Sequence, residues 1–517
     1  MSSGPLVSQP VGDPLRTIAR GSLLSGAGAV VAAVGGVGLT LVVTRSFVPA
    51  LAGTFFAGTT FFLIIASLAQ LGTDVGLVRY VSAHWATGQQ DRIDATLRVA
   101  LVPVVVVATA CAVVMYLVAP TISGWIANDS VFDASTGILR ALAFFVPLVA
   151  VYGALLAATR GRGSMRSTVV VDSLFRTVAQ PLLLGVTVVL HWGTTAAAVA
   201  WALPYAVGVA ACAVVLWRPS ARIRGGSRAP VEAGAARAQK GLARDFWSFT
   251  AARAVSGAVV MVWRRFDVLL VAAISGPADA AIYTAATRFL VVGSLAIQAV
   301  QLTVSPQLSR MFARHDVDGA RRIYYTSTLW TMVFSWPLYI VCASAVSLVI
   351  PVFGSRYSAG ASSVIVLSAA MLVATACGSV DAVLLMSGRS LLSLGNAVLT
   401  LAVNVGLDVV LIPRFGILGA ATGWAVSIAL RNVLALVQIN TLMHMWAFSR
   451  YSAAVSAASL ACFAVVPGLL SWSGAPDRWL LLSLAAGAAA YVAWAYRSRA
   501  SLELDTFVRA LQRRKPA

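Results

Sequence analysis

Long hydrophobic stretches separated by short polar turns recur from one end of the 517-residue chain to the other. A transmembrane helix needs about 20 predominantly apolar residues, and about fourteen stretches approach or exceed that length. They cover residues 22–43, 52–71, 97–119, 136–159, 167–190, 194–217, 249–274, 280–304, 328–351, 362–386, 391–412, 416–442, 452–471 and 478–496. The spacing predicts an all-α polytopic membrane protein with about 14 transmembrane helices.

An internal repeat divides these spans into two groups. Residues 155–207 and 384–430 share the order of a Leu-Leu end of a span, a short basic turn, an apolar span, a short outer turn and a small-residue span. Trp201 in the first stretch corresponds to Trp424 in the second. Chance similarity between two helices rich in Ala, Val and Leu is the alternative. The shared order favours two pseudo-symmetric six-helix lobes related by an axis along the membrane normal.

The predicted organisation follows from the repeat and from the polar segments. We expect six parts: a cytoplasmic N-tail (1–21), an N-lobe (22–217), a cytoplasmic linker (218–248), a C-lobe (249–442), two further helices (443–496) and a cytoplasmic tail (497–517). The tail sequence SLELDTFVRALQRRK places its apolar residues on one helical face, which is typical of an amphipathic helix at the membrane surface.

A net charge of +20 is compatible with nucleic-acid binding, but the cations are unevenly distributed. The termini and the loops after even-numbered spans hold 27 of the 38 Lys and Arg residues, whereas the other loops hold four. Basic residues accumulate on the cytoplasmic side of membrane proteins. The distribution therefore predicts a cell-membrane protein with both termini in the cytoplasm. It accounts for the charge through orientation and anionic membrane lipids, without a nucleic-acid partner.

Several classes of function lack the residues that they require. The five cysteines lie within predicted spans without a CxxC pair and the four histidines are isolated, so no metal site or cofactor is predicted. The predicted outer loops are short, and the longest carries only Asp129 and Asp133, which disfavours an enzyme such as a glycan polymerase or glycosyltransferase. Only two glutamates occur, Glu232 and Glu503, both in cytoplasmic segments, which disfavours an exporter of cationic drugs.

Three arginines fall inside predicted spans 7 and 8: Arg264, Arg265 and Arg288. A charge near the bilayer centre costs roughly 2.5–3.5 kcal/mol on insertion scales, so these side chains are expected to face a cavity or a partner. Asp267 and Arg288 are both expected about 10 Å below the outer surface, level across one hairpin. One aspartate cannot neutralise three arginines, so the sequence predicts a cationic site for an anionic group. A purely structural ion-pair network is the alternative.

Further charges lie within other spans. Asp172 and Arg176, at i and i+4 in span 5, are interpreted as an ion pair, with a proton- or sodium-coupling role as the alternative. Arg431 in span 12 either lines an inner cavity or pairs with Asp381 near the inner end of span 10.

Three segments resemble the Wzx-type polysaccharide and oligosaccharidyl-lipid exporters of the MOP superfamily (multidrug/oligosaccharidyl-lipid/polysaccharide exporters). That superfamily also contains lipid II flippases and MATE drug exporters. The first segment, TRSFVPALAGTFFAG…LGTDVGLVRYVSAH, matches at Arg45, Gly53, Gly72, Gly76 and Arg79. The second, FDVLLVAAISGPADAAIYTAATRF, matches at Asp267, Gly276, Tyr283, Ala286 and Arg288. The third, NVGLDVVLIPRFGILGAATG, is the most specific and matches at Asn404, Asp408, Pro413, Gly416, Gly419, Ala420 and Ala421. By spacing alone, Asn404 and Asp408 are interpreted as a helix-packing pair rather than a site.

The resemblance implies two lobes around a central cationic cavity lined largely by spans 1, 2, 7 and 8. It also implies export of a polyprenyl-pyrophosphate-linked glycan by alternating access. The pyrophosphate head group would then be bound by Arg264, Arg265, Arg288, Arg45 and Arg431, and ion pairing or coupling would involve Asp267, Asp172 and Arg176. A lipid II flippase and a MATE-like drug exporter are the alternatives within the superfamily. A monomer working beside a glycan polymerase or glycosyltransferases is expected.

Overall fold

The computed structural model describes the backbone of residues 14–217 and 235–503. Side chains are described over 26–217 and 241–503, apart from positions 90, 252, 253, 255, 256, 263, 264, 292, 296, 299, 302, 303 and 306. Within these limits the chain is almost entirely helical and contains no strand, so the all-α prediction is confirmed. The predicted amphipathic tail beyond Glu503 lies outside the described residues.

The helices of the N-terminal half follow the predicted spans in order. They are α1 (Pro14–Ser46), α2 (Pro49–Ala69), α3 (Thr73–Ala86), α4 (Gln90–Ile126), α5 (Phe132–Ala143), α6 (Val146–Gly161), α7 (Met165–Ser167), α8 (Thr177–Val189) and α9 (Gly193–Trp217). A 3-10 turn (Asp129–Val131) precedes α5, and a π-helical segment (Thr168–Arg176) joins α7 to α8.

The helices of the C-terminal half also follow the predicted spans in order. Its helices are α10 (Ala235–Ile274), α11 (Pro277–Ala313), α12 (Val317–Ser344), α13 (Val346–Val349), α14 (Ala361–Cys377), α15 (Val380–Met386), α16 (Ser390–Phe415), α17 (Ile417–Met443), α18 (Arg450–Leu460), α19 (Val466–Trp472) and α20 (Asp477–Arg497). Two 3-10 segments (Ile350–Phe353 and Ser355–Gly360) lie between α13 and α14, and a π-helical segment (Ala461–Val465) joins α18 to α19.

Ten helical segments among the described residues are long and apolar enough to cross a membrane, or twelve if each of two bent pairs is one span. The prediction of a multi-pass membrane protein is confirmed, whereas the count of about fourteen is not. The other two predicted spans correspond to α10 and α11, whose side chains are described only in part. Helix α10 begins at Ala235, so residues 235–248 of the predicted linker are helical, in keeping with the high helix propensity of their Ala and Arg residues.

Several predicted spans are broken rather than straight. Span 4 consists of α5 and α6, which are bent by 46° next to Pro147. Proline has no N–H, so it cannot continue the hydrogen-bond ladder of a preceding helix. Span 10 divides at Gly378, whose φ is +72° and where a Cβ would overlap Thr328. Hydropathy alone does not register such breaks, because the residues on both sides are equally apolar.

Helix α2 lies at the centre of the molecule. It packs against α5, α6 and α9 of the N-terminal half and against α10 and α11 of the C-terminal half. Phe55 and Phe62 make edge-to-face contacts with Trp201 of α9, with ring centroids 6.4 and 5.9 Å apart. Helices α18 to α20 pack on the outside of α12, where the Tyr491 hydroxyl donates to the carbonyl of Val333 at 3.0 Å.

The two lobes approach each other closely at both ends of α2. At one end, a Cβ on Gly53 would overlap the carbonyl group of Pro277, the first residue of α11. At the other end, Gly72 has a φ of +73° and lies against the backbone of Thr250 and Ala254 in α10. The absence of a side chain at these glycines therefore allows helices of different lobes to meet backbone to backbone.

We expect Gly53→Ala to destabilise the folded protein by on the order of 1–3 kcal/mol, because the added methyl group forces α2 and α11 apart. Thermal unfolding in detergent measures the effect. Gly36→Ala in α1 is the matched control, since a Cβ there meets nothing within 4 Å. The control should be neutral or slightly stabilising. Equal melting temperatures for the two variants would contradict the proposed contact.

Candidate functional site

The turn between α10 and α11 sets the depth of the charges that these helices carry. Helix α10 ends at Ile274, Gly276 has a φ of 95°, and Pro277 begins α11. Glycine tolerates a positive φ, and proline is favoured at the first position of a helix. At 1.5 Å per residue from the turn, Arg265 lies about 14 Å deep and Arg288 about 17 Å deep. The two arginines therefore lie at similar depth on neighbouring helices.

Arg265 and Arg288, which we call the arginine pair, also interact electrostatically. The charge of Arg265 is close enough to act on that of Arg288. Arg288 is partly exposed, and its Nε atom is buried without a hydrogen-bond partner among the described residues. The side chain of Arg264, the third predicted member, lies outside the described residues. Two of the predicted head-group arginines are thus brought together, and like charges in this position favour an anion between them.

Asp267 has a different partner from the one expected. Its depth of about 10 Å matches that of Tyr283 at about 9 Å, and the Tyr283 hydroxyl donates to Asp267 Oδ2 at 3.2 Å. The expected depth match with Arg288 is wrong because α11 begins at Pro277 rather than near Ala281. The earlier start places Arg288 about one turn deeper.

Asp408 of α16, interpreted from spacing as part of a helix-packing pair, lies near Asp267. The two carboxylates are close enough to interact electrostatically. Asn404 Nδ2 donates to Asp408 Oδ2 at 3.2 Å. A Cβ on Gly423 of α17 would overlap Asp408 Oδ1, so the carboxylate lies directly against that helix. We call Asp267, Tyr283, Asn404 and Asp408 the carboxylate cluster.

The carboxylate cluster is buried and incompletely satisfied. Asp267 and Asp408 are 6% and 0% exposed, and the Oδ1 atom of each has no hydrogen-bond partner among the described residues. Burying two uncompensated negative charges is costly, so the cluster is suited to hold a proton or a hard cation between its oxygens. The described residues contain no group of three or more His, Cys, Asp or Glu that could hold a metal ion. The signal that could have revealed the cluster is the presence of all four residues in the two C-lobe motifs.

The predicted ion pair of span 5 is present in the N-lobe. Arg176 Nε contacts Asp172 Oδ1 at 2.7 Å. The Tyr152 hydroxyl donates to the same oxygen at 3.0 Å, Arg176 Nη1 donates to Gln180 Oε1 at 3.1 Å, and its guanidinium lies over the ring of Tyr205. Both charges are therefore satisfied within the lobe. A coupling role for this pair stays a prediction.

Arg431 satisfies both alternatives left open by the sequence. Its Nη2 atom contacts Asp381 Oδ2 at 2.7 Å, and both residues line a cavity of about 390 Å³ within the C-lobe. Gln301, Thr375 and other residues of α11, α12, α14, α15 and α17 complete the lining. The break at Gly378 places Asp381 at the start of α15, from where it reaches α17.

Arg45 links the two lobes at the end of α1. Its Nε donates to the carbonyl of Val352 at 2.9 Å, and its Nη2 donates to that of Pro351 at 3.1 Å. In this conformation the side chain is engaged with the 3-10 segment after α13 rather than with the arginine pair. Its predicted role in head-group binding stays a prediction.

Comparison with known proteins relates this geometry to a family. The family described as "Polysaccharide biosynthesis protein" matches residues 56–362, which is more than half of the chain. The probable low-salt glycan biosynthesis flippase Agl15 of Haloferax volcanii is 24% identical over 200 residues, which cover 37% of this chain and 41% of that protein. The match therefore spans less than half the length of that relative.

Solved structures share the fold at low identity. The lipid II flippase MurJ in an inward closed conformation matches with a TM-score of 0.72 and 11% identity, over 93% of this chain and 99% of that chain. An inward-facing MATE family transporter of the MOP superfamily matches with a TM-score of 0.63 and 15% identity, over 81% and 94%. The resemblance inferred from three sequence motifs is thus confirmed at the level of family and fold.

We expect the melting temperature of the purified protein to rise when sodium replaces choline or when the pH falls, because a ligand of the carboxylate cluster stabilises only the folded state. A shift on the order of 1 °C corresponds to a ligand at a few times its Kd. Asp408→Asn removes one buried charge, so this variant should be more stable in choline and should lose the response. Asp133→Asn, which alters an exposed carboxylate, should keep it. A full response in the Asp408 variant would rule out binding at the cluster.

Proposed function

We propose that this chain, which belongs to the polysaccharide biosynthesis protein family, moves a polyprenyl-pyrophosphate-linked oligosaccharide from the cytoplasmic to the outer leaflet of the cell membrane. The observation that carries the proposal is the pair Arg265 and Arg288, at similar depth on the α10–α11 hairpin. Positive charge held at this depth suits a lipid whose anionic head group must cross the bilayer.

The chemistry of guanidinium explains why a pyrophosphate fits the arginine pair. Guanidinium is planar and donates paired hydrogen bonds to phosphate oxygens. The repulsion between Arg265 and Arg288 is relieved by an anion that carries more than one negative charge. Asp267 is not expected to act as the anion between the two arginines, because its carboxylate lies level with Tyr283 and accepts a hydrogen bond from the Tyr283 hydroxyl.

The relatives support transport of a lipid-linked glycan over the other functions. Agl15 is named a glycan biosynthesis flippase, and MurJ, named a lipid II flippase, shares the fold across most of both chains. Lipid II is therefore the alternative substrate. A MATE-like drug exporter is the second alternative, and the positive charge of the arginine pair disfavours a cationic drug. A glycan polymerase or glycosyltransferase would act on the product as a separate partner of this chain.

Alternating access requires that contacts between the lobes open at one end at a time. One set consists of the Arg45 hydrogen bonds to residues 351 and 352 and the approach of Gly53 to α11. The other set consists of the Tyr80 hydroxyl donating to the carbonyl of Asp245 at 2.8 Å and Arg79 over the ring of Phe249 at 4.2 Å. Opening the second set admits the head group from the cytoplasm, and opening the first releases it.

The carboxylate cluster is the candidate for energy coupling. Asp267 lies two residues after Arg265 on the same helix, so a proton or cation bound at the cluster changes the packing of the helix that carries the arginine pair. A ligand shifts a conformational equilibrium only through different affinity for the two states. The residues of the cluster lie on α10, α11 and α16, so a movement of these helices relative to one another changes the affinity of the cluster for its ligand. Asp172 with Arg176 is the second candidate.

We expect the double substitution Arg265→Ala and Arg288→Ala to reduce translocation more than about tenfold, since charge-assisted hydrogen bonds contribute about 1.5–3 kcal/mol each. Removing two like charges from the membrane should leave insertion and folding intact. The measurement is the accessibility of the lipid-linked glycan in the outer leaflet of vesicles.

Arg414→Ala is the matched control, because Arg414 is an exposed arginine of the C-lobe at the end of α16. Normal translocation by a well-expressed double variant would refute the assigned role of the arginine pair. Transport of lipid II in preference to other lipid-linked glycans would favour the first alternative, and efflux of a cationic drug the second.

A further inference from the structure

A groove of about 400 Å³ lies on the surface of the N-lobe between α4 and the junction of α5 with α6. Its floor is formed by two small buried residues, Ala112 and Ala143. Its walls are larger, exposed side chains: Val113, Tyr116, Leu117 and Phe144. The groove forms because small residues are flanked by large ones next to the bend at Pro147, and no side chain of the described residues fills it. Because the walls are exposed on an apolar transmembrane surface, the groove opens to lipid.

A single arginine lies at one end of this groove. Arg140 is exposed and precedes Phe144 by one turn of α5. Its guanidinium lies 5.3 Å from the ring centroid of Tyr116, which in turn makes an edge-to-face contact with Phe144 at 5.7 Å. Arg140 forms no ion pair with the described residues. It lies about 12 Å along α5 from Phe132, a depth at which an arginine on a lipid-facing surface needs an anion or must extend towards the head groups.

We propose that this groove binds an anionic phospholipid of the outer leaflet, with its phosphate on Arg140 and part of one acyl chain over Ala112 and Ala143. With both termini in the cytoplasm, α4 runs outwards, so Arg140 and Tyr116 face the head groups and Thr109 faces the bilayer centre. The groove follows α4 for about 10 Å from Tyr116 to Thr109. Its polar end and its apolar end therefore have the order that a phospholipid requires.

The occupant is a phospholipid rather than the exported carrier for two reasons. One guanidinium matches the single negative charge of a phosphodiester, whereas a pyrophosphate calls for the two arginines of α10 and α11. The groove is also formed entirely by α4, α5 and α6, none of which carries the arginine pair. The proposal is thus independent of the transported substrate.

Native mass spectrometry of the full chain in a nonionic detergent tests the proposal, with dioleoyl phosphatidylglycerol and dioleoyl phosphatidylcholine as probes at equal concentration. The protein should retain phosphatidylglycerol preferentially. Arg140→Gln should weaken that binding about fivefold, the equivalent of about 1 kcal/mol, and Arg140→Lys should restore most of it. Arg478→Gln is the matched control, because Arg478 is also exposed and lies over an aromatic ring, Trp479, but belongs to α20, which contributes no residue to the groove.

A second pair of variants tests the apolar part of the groove. Ala112→Leu fills the floor and should weaken the binding of both lipids while Arg140 is intact. If that variant unfolds at a lower temperature, Phe144→Ala, which removes a wall without overpacking, should give the same loss. Equal losses of phosphatidylglycerol in the Arg140→Gln and Arg478→Gln variants would overturn the proposal. Displacement of phosphatidylglycerol by an equal concentration of undecaprenyl pyrophosphate would also overturn it.

Discussion

Charge buried at membrane depth is costly unless a partner lies at the same depth, and the turn at Gly276 and Pro277 determines which partners do. Because α11 begins at Pro277, Tyr283 lies level with Asp267 and Arg288 lies near the level of Arg265. A turn one residue longer would move every residue of α11 by about 1.5 Å and rotate it by about 100° relative to α10. The arginine pair and the carboxylate cluster of the C-lobe therefore depend on the same short turn.

Opposite charges that lie close together in the sequence are arranged differently in the π-helical segment 168–176 and in α10. In the N-lobe, Asp172 and Arg176 neutralise each other within one turn. In the C-lobe, Arg265 and Asp267 are two residues apart on α10, and side chains at i and i+2 do not face each other. Helix α10 consequently separates a positive side from a negative side. A rotation of α10 would act on both, which gives a physical route by which the charge state of the carboxylate cluster affects the arginine pair.

The sequence was sufficient for features that depend on local spacing. Apolar stretches predicted the helices, and the i, i+4 spacing predicted the pair of Asp172 with Arg176. The pairing of Arg431 with Asp381 was one of two alternatives, since it joins different helices. Features that depend on helix register across the fold were not predictable. The link between Asp408 and Asp267 requires α16 to pack on α10 at one particular height, and the breaks at Pro147 and Gly378 lie within continuous apolar sequence.

The hydrogen bonds of Arg45 end on main-chain carbonyl groups rather than on side chains. Every amino acid supplies such an acceptor, so other residues can replace Pro351 and Val352 without loss of the contact as long as the 3-10 segment keeps its shape. A loss of Arg45, by contrast, has no complementary change of side chain at 351 or 352 that would repair it. Genetic suppressors of an Arg45 variant should therefore arise elsewhere, at positions that alter the balance between the open and closed lobes. Covariation analysis would miss this contact, although it joins residues more than 300 positions apart in the chain.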